Sequence, residues 1–424
     1  MDYTFSPKKD FGKLEAAIVS LYGEGKKAAQ LERYHHLIDG FNKTFGACDN
    51  MAVFSAPGRT EIGGNHTDHQ HGKVLAGSVD LDIIAAVAPN EDNIIRIQSE
   101  GFGMNVIDLG DLSIHEDEID HSNSIVRGVA AKLREMGCDI SGFNAYTTST
   151  VLKGSGLSSS AAFEILLANI INTMYFDGKC SPVELAQIGQ YAENVYYGKP
   201  SGLLDQMASS VGAMVTVDFA DKANPVVERV DFDFAATGHA LCIIDSGADH
   251  ADLTDEYAAV PGELKEICAH FGKAVLREVD EAEFYAALPA LRAKAGDRAV
   301  LRAIHVYEDN RRVDREVAAL RAGDFDAFLR EIRASGLSSW RCLQNVVPAG
   351  YKRNQEVAVA LTLAENLLAG RGACRVHGGG FAGTIQAFVP HDMLERFKSE
   401  MERVLGEGSC HVLTIRPVGG IRLV

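Results

Sequence analysis

Nine residues near the middle of the chain, Gly154-Ser155-Gly156-Leu157-Ser158-Ser159-Ser160-Ala161-Ala162, restrict its fold more than any other stretch. A strand-like segment ends before them near Val151, and a helix-like one, Ala161 to Ile171, follows. Glycines let the backbone turn tightly and approach a ligand closely. The free N–H groups and positive dipole end of a helix start favour an anion. Consecutive serines add hydroxyl donors, and a hydroxyl can also ligate a hard cation. The stretch therefore reads as a phosphate-binding turn between a strand and a helix. A plain turn before a serine-capped helix fits the same letters. No Gly-Lys-Ser/Thr follows, so this is not a Walker A loop, and Gly25-Lys26-Lys27 has no strand before it.

Strand and helix patterns alternate irregularly around this turn. Leu31, Tyr34, Leu37, Ile38, Phe41 and Phe45 fall at helical spacing, which predicts a helix over 26–45. Further helices are expected over 123–136, 158–177 and 181–197, and through most of 254–368. Strands are expected from Met51 up to Pro57, over 74–87, 94–97, 145–151, 214–219, 226–232 and 241–245, with strand, helix, strand closing the chain after Thr384. This is an α+β pattern in two domains with a boundary near residue 215.

The formal charge of −17 argues against a general binder of nucleic acid or anionic membrane, because a polyanion is repelled. It leaves room for a small anion held by a few local cations. The amino terminus carries no apolar h-region, and no run approaches the ~20 apolar residues of a membrane span. The eight cysteines are sparse and form no Cys-x-x-Cys pair, as expected of reduced thiols in a cytoplasmic protein.

Two other segments carry chemistry. One is Pro57-Gly58-Arg59-Thr60-Glu61-Ile62-Gly63-Gly64-Asn65-His66-Thr67-Asp68-His69, and the other is His377-Gly378-Gly379-Gly380-Phe381-Ala382-Gly383-Thr384. In this order and at these separations, they and the glycine-serine turn resemble the three motifs of the GHMP kinase superfamily. Gly58-Arg59 followed by His66-Thr67-Asp68 resembles the galactokinase signature in particular. The resemblance runs from about Ser55 to the carboxyl end. It implies a two-lobed GHMP kinase with its active site in the cleft. A ribosomal S5 domain 2-like lobe would span residues 1–215 and a ferredoxin-like lobe 216–424, the last strand being free to return to the first lobe.

The resemblance further implies ATP-dependent phosphorylation of the anomeric hydroxyl of galactose, with Mg2+ at the phosphates. Asp205 in Gly202-Leu203-Leu204-Asp205-Gln206 matches the base, and Arg59 the cation that holds it and offsets charge on the reacting oxygens. Gly154, Ser155, Gly156, Leu157, Ser158, Ser159 and Ser160 match the nucleotide loop. Ser160 and Glu193 match the magnesium ligands. Asn65, His66, Asp68, Gly202 and Tyr257 match the sugar contacts, with Asp68 suited to a vicinal diol and Gly202 offering its N–H. Each residue also has a plainer reading. An isolated Asp caps or turns a chain, Glu193 is an exposed helix charge, Arg59 a surface Arg after a turn, His66 a structural histidine, and the glycines 378–380 a β-turn. The expected partners are a small sugar and ATP, with no nucleic acid or membrane, acting on a monomer or weak homodimer.

Three positions depart from the family pattern. Galactokinases usually have Glu before His-Thr-Asp, where this chain has Asn65. An uncharged Asn would tolerate a carboxylate at C6, and His69-Gln70 resembles the galacturonate kinase version, so galacturonate or another modified galactose is an alternative substrate. The aromatic positions beside the adenine are Ser122 and Ile125, so stacking area is lost. After Tyr257 the usual arginines are replaced by Ala258-Ala259-Val260-Pro261-Gly262-Glu263. A sensor of the same fold without turnover and a different small-molecule kinase are the other functional classes that share the glycine-serine turn.

Overall fold

The computed structural model describes residues 6, 10–151, 156–199, 201–248 and 253–424. Two helices open the chain, α1 (Phe11–Tyr22) and α2 (Lys27–Phe45), and lead to two long antiparallel strands, β1 (Ala52–Gly63) and β2 (Lys73–Pro89). Every residue of β1 is buried. Its alternation explains why: Ala52, Phe54 and Ala56 belong to the main core, whereas Val53 packs with Leu14, Ile18, Tyr34 and Leu37 of α1 and α2.

The same sheet takes in β3 (Ile94–Ser99), β4 (Met104–Asp108) and β5 (Phe143–Ser149), and then β6 (Met214–Asp218) and β7 (Val226–Val230). Between them lie α3 (Ser122–Glu135), α4 (Ser159–Tyr175), α5 (Pro182–Tyr191) and α6 (Leu204–Val211). One half of β2 pairs with β6 and the other half with β5, so a single strand spans the lobe. The sheet of this lobe thus runs on past residue 215. The strand expected to stop at Pro57 also continues, because a register shift between Pro57 and Arg59 accommodates the proline that lacks an N–H. In place of one helix over 181–197, α5 gives way to a π-helical turn, Ala192–Tyr197.

The second sheet is antiparallel. It orders β11 (Cys410–Leu413), β8 (His239–Asp245), β10 (Thr384–Pro390) and β9 (Ala373–Val376). Along β8, Ala240, Cys242 and Ile244 face one apolar core, and Leu241 and Ile243 face the main one. A helical block follows β8, with α7 (Thr254–His270), α8 (Glu281–Ala286), α9 (Leu288–Ala295), α10 (Asp297–Arg321) and α11 (Phe325–Ser338). Then come α12 (Glu356–Leu368) and α13 (Leu394–Leu405) against the second sheet. A last strand, β12 (Ile421–Arg422), returns to pair with β1 of the first sheet. Buried Asp82 ties these ends together, receiving Arg33, Arg416 at 2.8 Å, Ser55 and Tyr22. Among the described residues no helix is long and apolar enough to cross a membrane.

The long helix α10 crosses behind β1 and buries Glu316 there. A Cβ on Gly63 would fall 1.8 Å from its Oε2, so a larger residue there would have to displace that carboxyl group. Neither carboxyl oxygen of Glu316 has a hydrogen-bond partner among the described residues. Burial, with Asp309 adding to it, pushes its pKa up to about 8. A raised carboxyl pKa favours the fold fully below the unfolded value and loses that contribution as pH rises through 8. Glu316→Gln removes the titration. The wild type is therefore expected to lose at least about 2 kcal/mol relative to this variant between pH 5 and pH 8, in urea unfolding.

Candidate functional site

Arg59 projects from β1 and Asp205 from the first turn of α6. Arg59 Nε donates to Asp205 Oδ1 at 2.7 Å, and Nη2 lies 2.6 Å from the same oxygen. On the other side, Ser158 Oγ donates to Asp205 Oδ2 at 2.7 Å. Ser158 has φ 56° and makes no side-chain cap on α4, so its hydroxyl serves Asp205 and the helix start stays open. The same arginine binds the carbonyl of Gly156, and its own N–H donates to Leu157 O at 3.0 Å. One guanidinium thus joins the glycine-serine turn to the carboxylate. Burial would raise the Asp205 pKa, but Arg59, then the Ser158 and Arg59 hydrogen bonds, then Lys199, hold it below the usual carboxylate range. About a third of its side chain, 34%, remains accessible.

Two cavities meet here. The larger, of about 910 Å³, is lined by Ser159, Ser160, Glu164, Glu193, Lys199 and the face of α3 at Ser122 and Ile125. The smaller, of about 230 Å³, is lined by Arg59, Glu61, His66, Asp68, Gly202 and Asp205, with Gly378 and Gly379 opposite. Lys199 borders both. Open N–H groups at the start of α4 face a space large enough for a nucleotide, and the smaller, polar space suits a sugar.

Most of the residues singled out in the sequence converge at these two spaces. Gly154 and Ser155 lie outside the described residues. Asp68 Oδ2 would sit 1.9 Å from a Cβ on residue 202, so with glycine there the carboxylate lies close against the backbone, and a larger residue would push it away. His66 Nε2 donates to Gly379 O at 2.9 Å. Burial lowers its pKa to about 4, so near neutrality the ring is uncharged and Nδ1 is an acceptor.

Two residues expected to touch sugar have side chains that bond within the protein. Asn65 is fully buried, and every side-chain polar group is already used within the protein. Its Nδ2 donates to Glu61 Oε1 at 2.9 Å and Gly378 O at 2.6 Å, while Oδ1 accepts from Asn345 at 2.9 Å and Ser339 at 3.3 Å. Asn65 is therefore a strut between the lobes. Tyr257 does not line the smaller cavity; its hydroxyl donates to Gly380 O at 2.8 Å, behind the glycine turn.

Glu193, on the π-helical turn, accepts from Ser201 at 2.6 Å, Gln206 at 2.9 Å and Lys199 at 2.8 Å. Gln206 bonds Glu164 at 2.9 Å as well, and the other Glu164 oxygen is buried without a hydrogen bond among the described residues. Burial, then the Glu193 charge, raises the Glu164 pKa well above the usual range. Among the described residues no group of three or more His, Cys, Asp or Glu could hold a metal. Ser160 and Glu193 on one cavity wall, with an orphaned carboxyl oxygen beside them, do fit a cation that takes few protein ligands and several phosphate oxygens.

Glu61, Lys199 and Phe102 belong to the site and were missed in the sequence. Glu61 stands two residues from Arg59 on an extended strand, so alternation alone places them on one side. Phe102 sits in a turn with 56% of its surface exposed and lines the larger cavity together with Tyr197. These rings supply aromatic surface that Ser122 and Ile125 lack. Phe102→Ala is expected to raise the KM for nucleotide about tenfold and leave the sugar KM unchanged in steady-state kinetics, since base stacking is worth ~1–3 kcal/mol.

Comparisons with known proteins point to one family and fold. Residues 39–89 match the family described as the galactokinase galactose-binding signature, and residues 123–213 match the GHMP kinases N terminal domain. A galactokinase of Streptomyces coelicolor is 32% identical over 354 residues, covering 82% of this chain and 87% of that protein. One from Actinobacillus pleuropneumoniae is 30% identical, with coverage of 84% and 90%. The structure of Lactococcus lactis galactokinase complexed with galactose superposes with a TM-score of 0.77 at 27% identity, over 92% of this chain and 99% of that one. A mevalonate kinase structure, at 12% identity and a TM-score of 0.61, shares the fold.

Proposed function

The chain belongs to the galactokinase family, and on that premise we propose that it transfers the γ-phosphoryl group of ATP to the anomeric hydroxyl of galactose. One observation carries the reading. The Asp205 carboxylate, on the wall of the smaller cavity, is gripped by Arg59 on one side and by Ser158 of the phosphate turn on the other, and the next two serines of that turn line the larger cavity. A sugar hydroxyl in the smaller space and a phosphate at the start of α4 would both lie against that carboxylate.

In the transfer, the sugar oxygen forms a bond to the γ-phosphorus as the bond from that phosphorus to the β,γ-bridging oxygen breaks. The hydroxyl proton passes to Asp205, and ADP leaves. A carboxylate with a lowered pKa is a weak base, so Asp205 contributes chiefly by orienting the hydroxyl and accepting its proton late. Arg59 stabilises negative charge gathering on the transferred group. Ser160 and Glu193 would hold magnesium, whose charge neutralises the β- and γ-phosphates. Lys199 at the boundary of the two spaces adds a second cation near the transfer path.

The sugar and ATP are the only partners this reaction requires, and we expect a single chain to suffice. An ADP-release assay with galactose, galacturonate and N-acetylgalactosamine tests the reading. Sugar-dependent ADP release with galactose supports it, and none with any of the three refutes it.

A further inference from the structure

Glu61 is held from behind and open in front. Its Oε1 accepts from buried Arg375 at 2.5 Å and from Asn65 at 2.9 Å. Its Oε2 accepts no hydrogen bond from the described residues, and the side chain lines the smaller cavity beside His66 and Asp68. Arg375 is fully buried and also binds the carbonyl of Ile62. The carboxylate is thus fixed by a cation that does not itself line the cavity, with one oxygen left for a ligand.

The charges around the cavity set what that ligand can be. Arg59 is engaged by Asp205 and Lys199 by Glu193. Asp68 has the His69 ring 3.9 Å away and the His69 N–H at 2.9 Å. His66 is neutral, with Nδ1 as an acceptor. Glu61, Asp68 and His66 therefore offer acceptors, which suit hydroxyl hydrogens. An acidic sugar would bring its carboxylate against carboxylates, with no uncommitted cation among the described cavity residues.

We infer that Glu61 binds a sugar hydroxyl directly and that the pocket it lines selects a neutral hexose over a uronate. The inference rests on the kinase reading above and deepens it. Asn65, whose lack of charge left room for galacturonate, is buried in the interior, and the carboxylate stands four residues earlier in the same segment.

The test compares wild type with Glu61→Gln, which keeps an acceptor for Arg375. Kinetics with galactose, its single-deoxy analogues and galacturonate are combined with calorimetric sugar binding and thermal melting. Wild type is expected to use galactose at least a hundredfold better than galacturonate. The variant is expected to raise the galactose KM about tenfold with the ATP KM unchanged. One deoxy analogue should bind more weakly than galactose to wild type but equally to the variant. A wild type that prefers galacturonate overturns the inference. So does a folded variant with unaltered galactose affinity and no coupled deoxy position. If the variant fails to fold, the wild-type ratio of galactose to galacturonate decides. If wild type phosphorylates none of galactose, galacturonate and N-acetylgalactosamine, the kinase reading fails, and calorimetric binding of galactose and galacturonate still decides the inference.

Discussion

Asp205→Asn is expected to lower kcat about a thousandfold, with sugar and nucleotide binding changed no more than a few-fold. The amide keeps the volume and can still accept from Arg59, so the pocket shape survives. What disappears is the acceptor for the hydroxyl proton and the negative charge that aligns it. Steady-state kinetics joined to calorimetry separate the two effects. A loss confined to kcat locates Asp205 in the chemical step. A loss confined to binding would make it a scaffold residue, the capping or turn role an isolated aspartate often has.

Arg59→Met carries a comparable penalty by a different route. The Arg59 guanidinium contacts Asp205 and Gly156 O, so its removal loosens the phosphate turn and uncovers the carboxylate together, while the main-chain hydrogen bond to Leu157 O stays. A fall in kcat/KM of about a thousandfold is expected. The pH profile gives a sharper readout. Arg59 leads the forces that hold the Asp205 pKa down against burial. Without it the pKa rises, so the acid limb of kcat/KM should move to higher pH in the variant. A limb that stays in place would mean that a different group titrates.

Much of the site was legible because its chemistry is local. A glycine-serine run between a strand and a helix has few structural uses, and the structure puts Gly156 to Ser160 against Arg59, Asp205 and the larger cavity. The helix over 26–45 follows from periodicity and the strand at 241–245 from its apolar run, and the structure has them as α2 and β8. What could not be read there depends on contacts distant in sequence. Asn65 sits inside a binding motif, yet residues 339 and 345 reach it from the other lobe and consume its carbonyl oxygen. The buried cation behind Glu61 comes from Arg375, more than three hundred residues away in sequence. Phe102 follows a Gly in a turn, where an aromatic ring carries no periodic signal. Glu61 is within reach of the sequence, since strand alternation pairs it with Arg59, but a proline usually ends a strand and Pro57 hides the continuation.

The most direct measurement is phosphorus–proton correlation NMR on the product of a reaction containing galactose, ATP and Mg2+. The account predicts a phosphorus resonance coupled to the anomeric proton of the sugar. A phosphorus coupled instead to the C6 protons, or release of inorganic phosphate with no sugar ester, would contradict it.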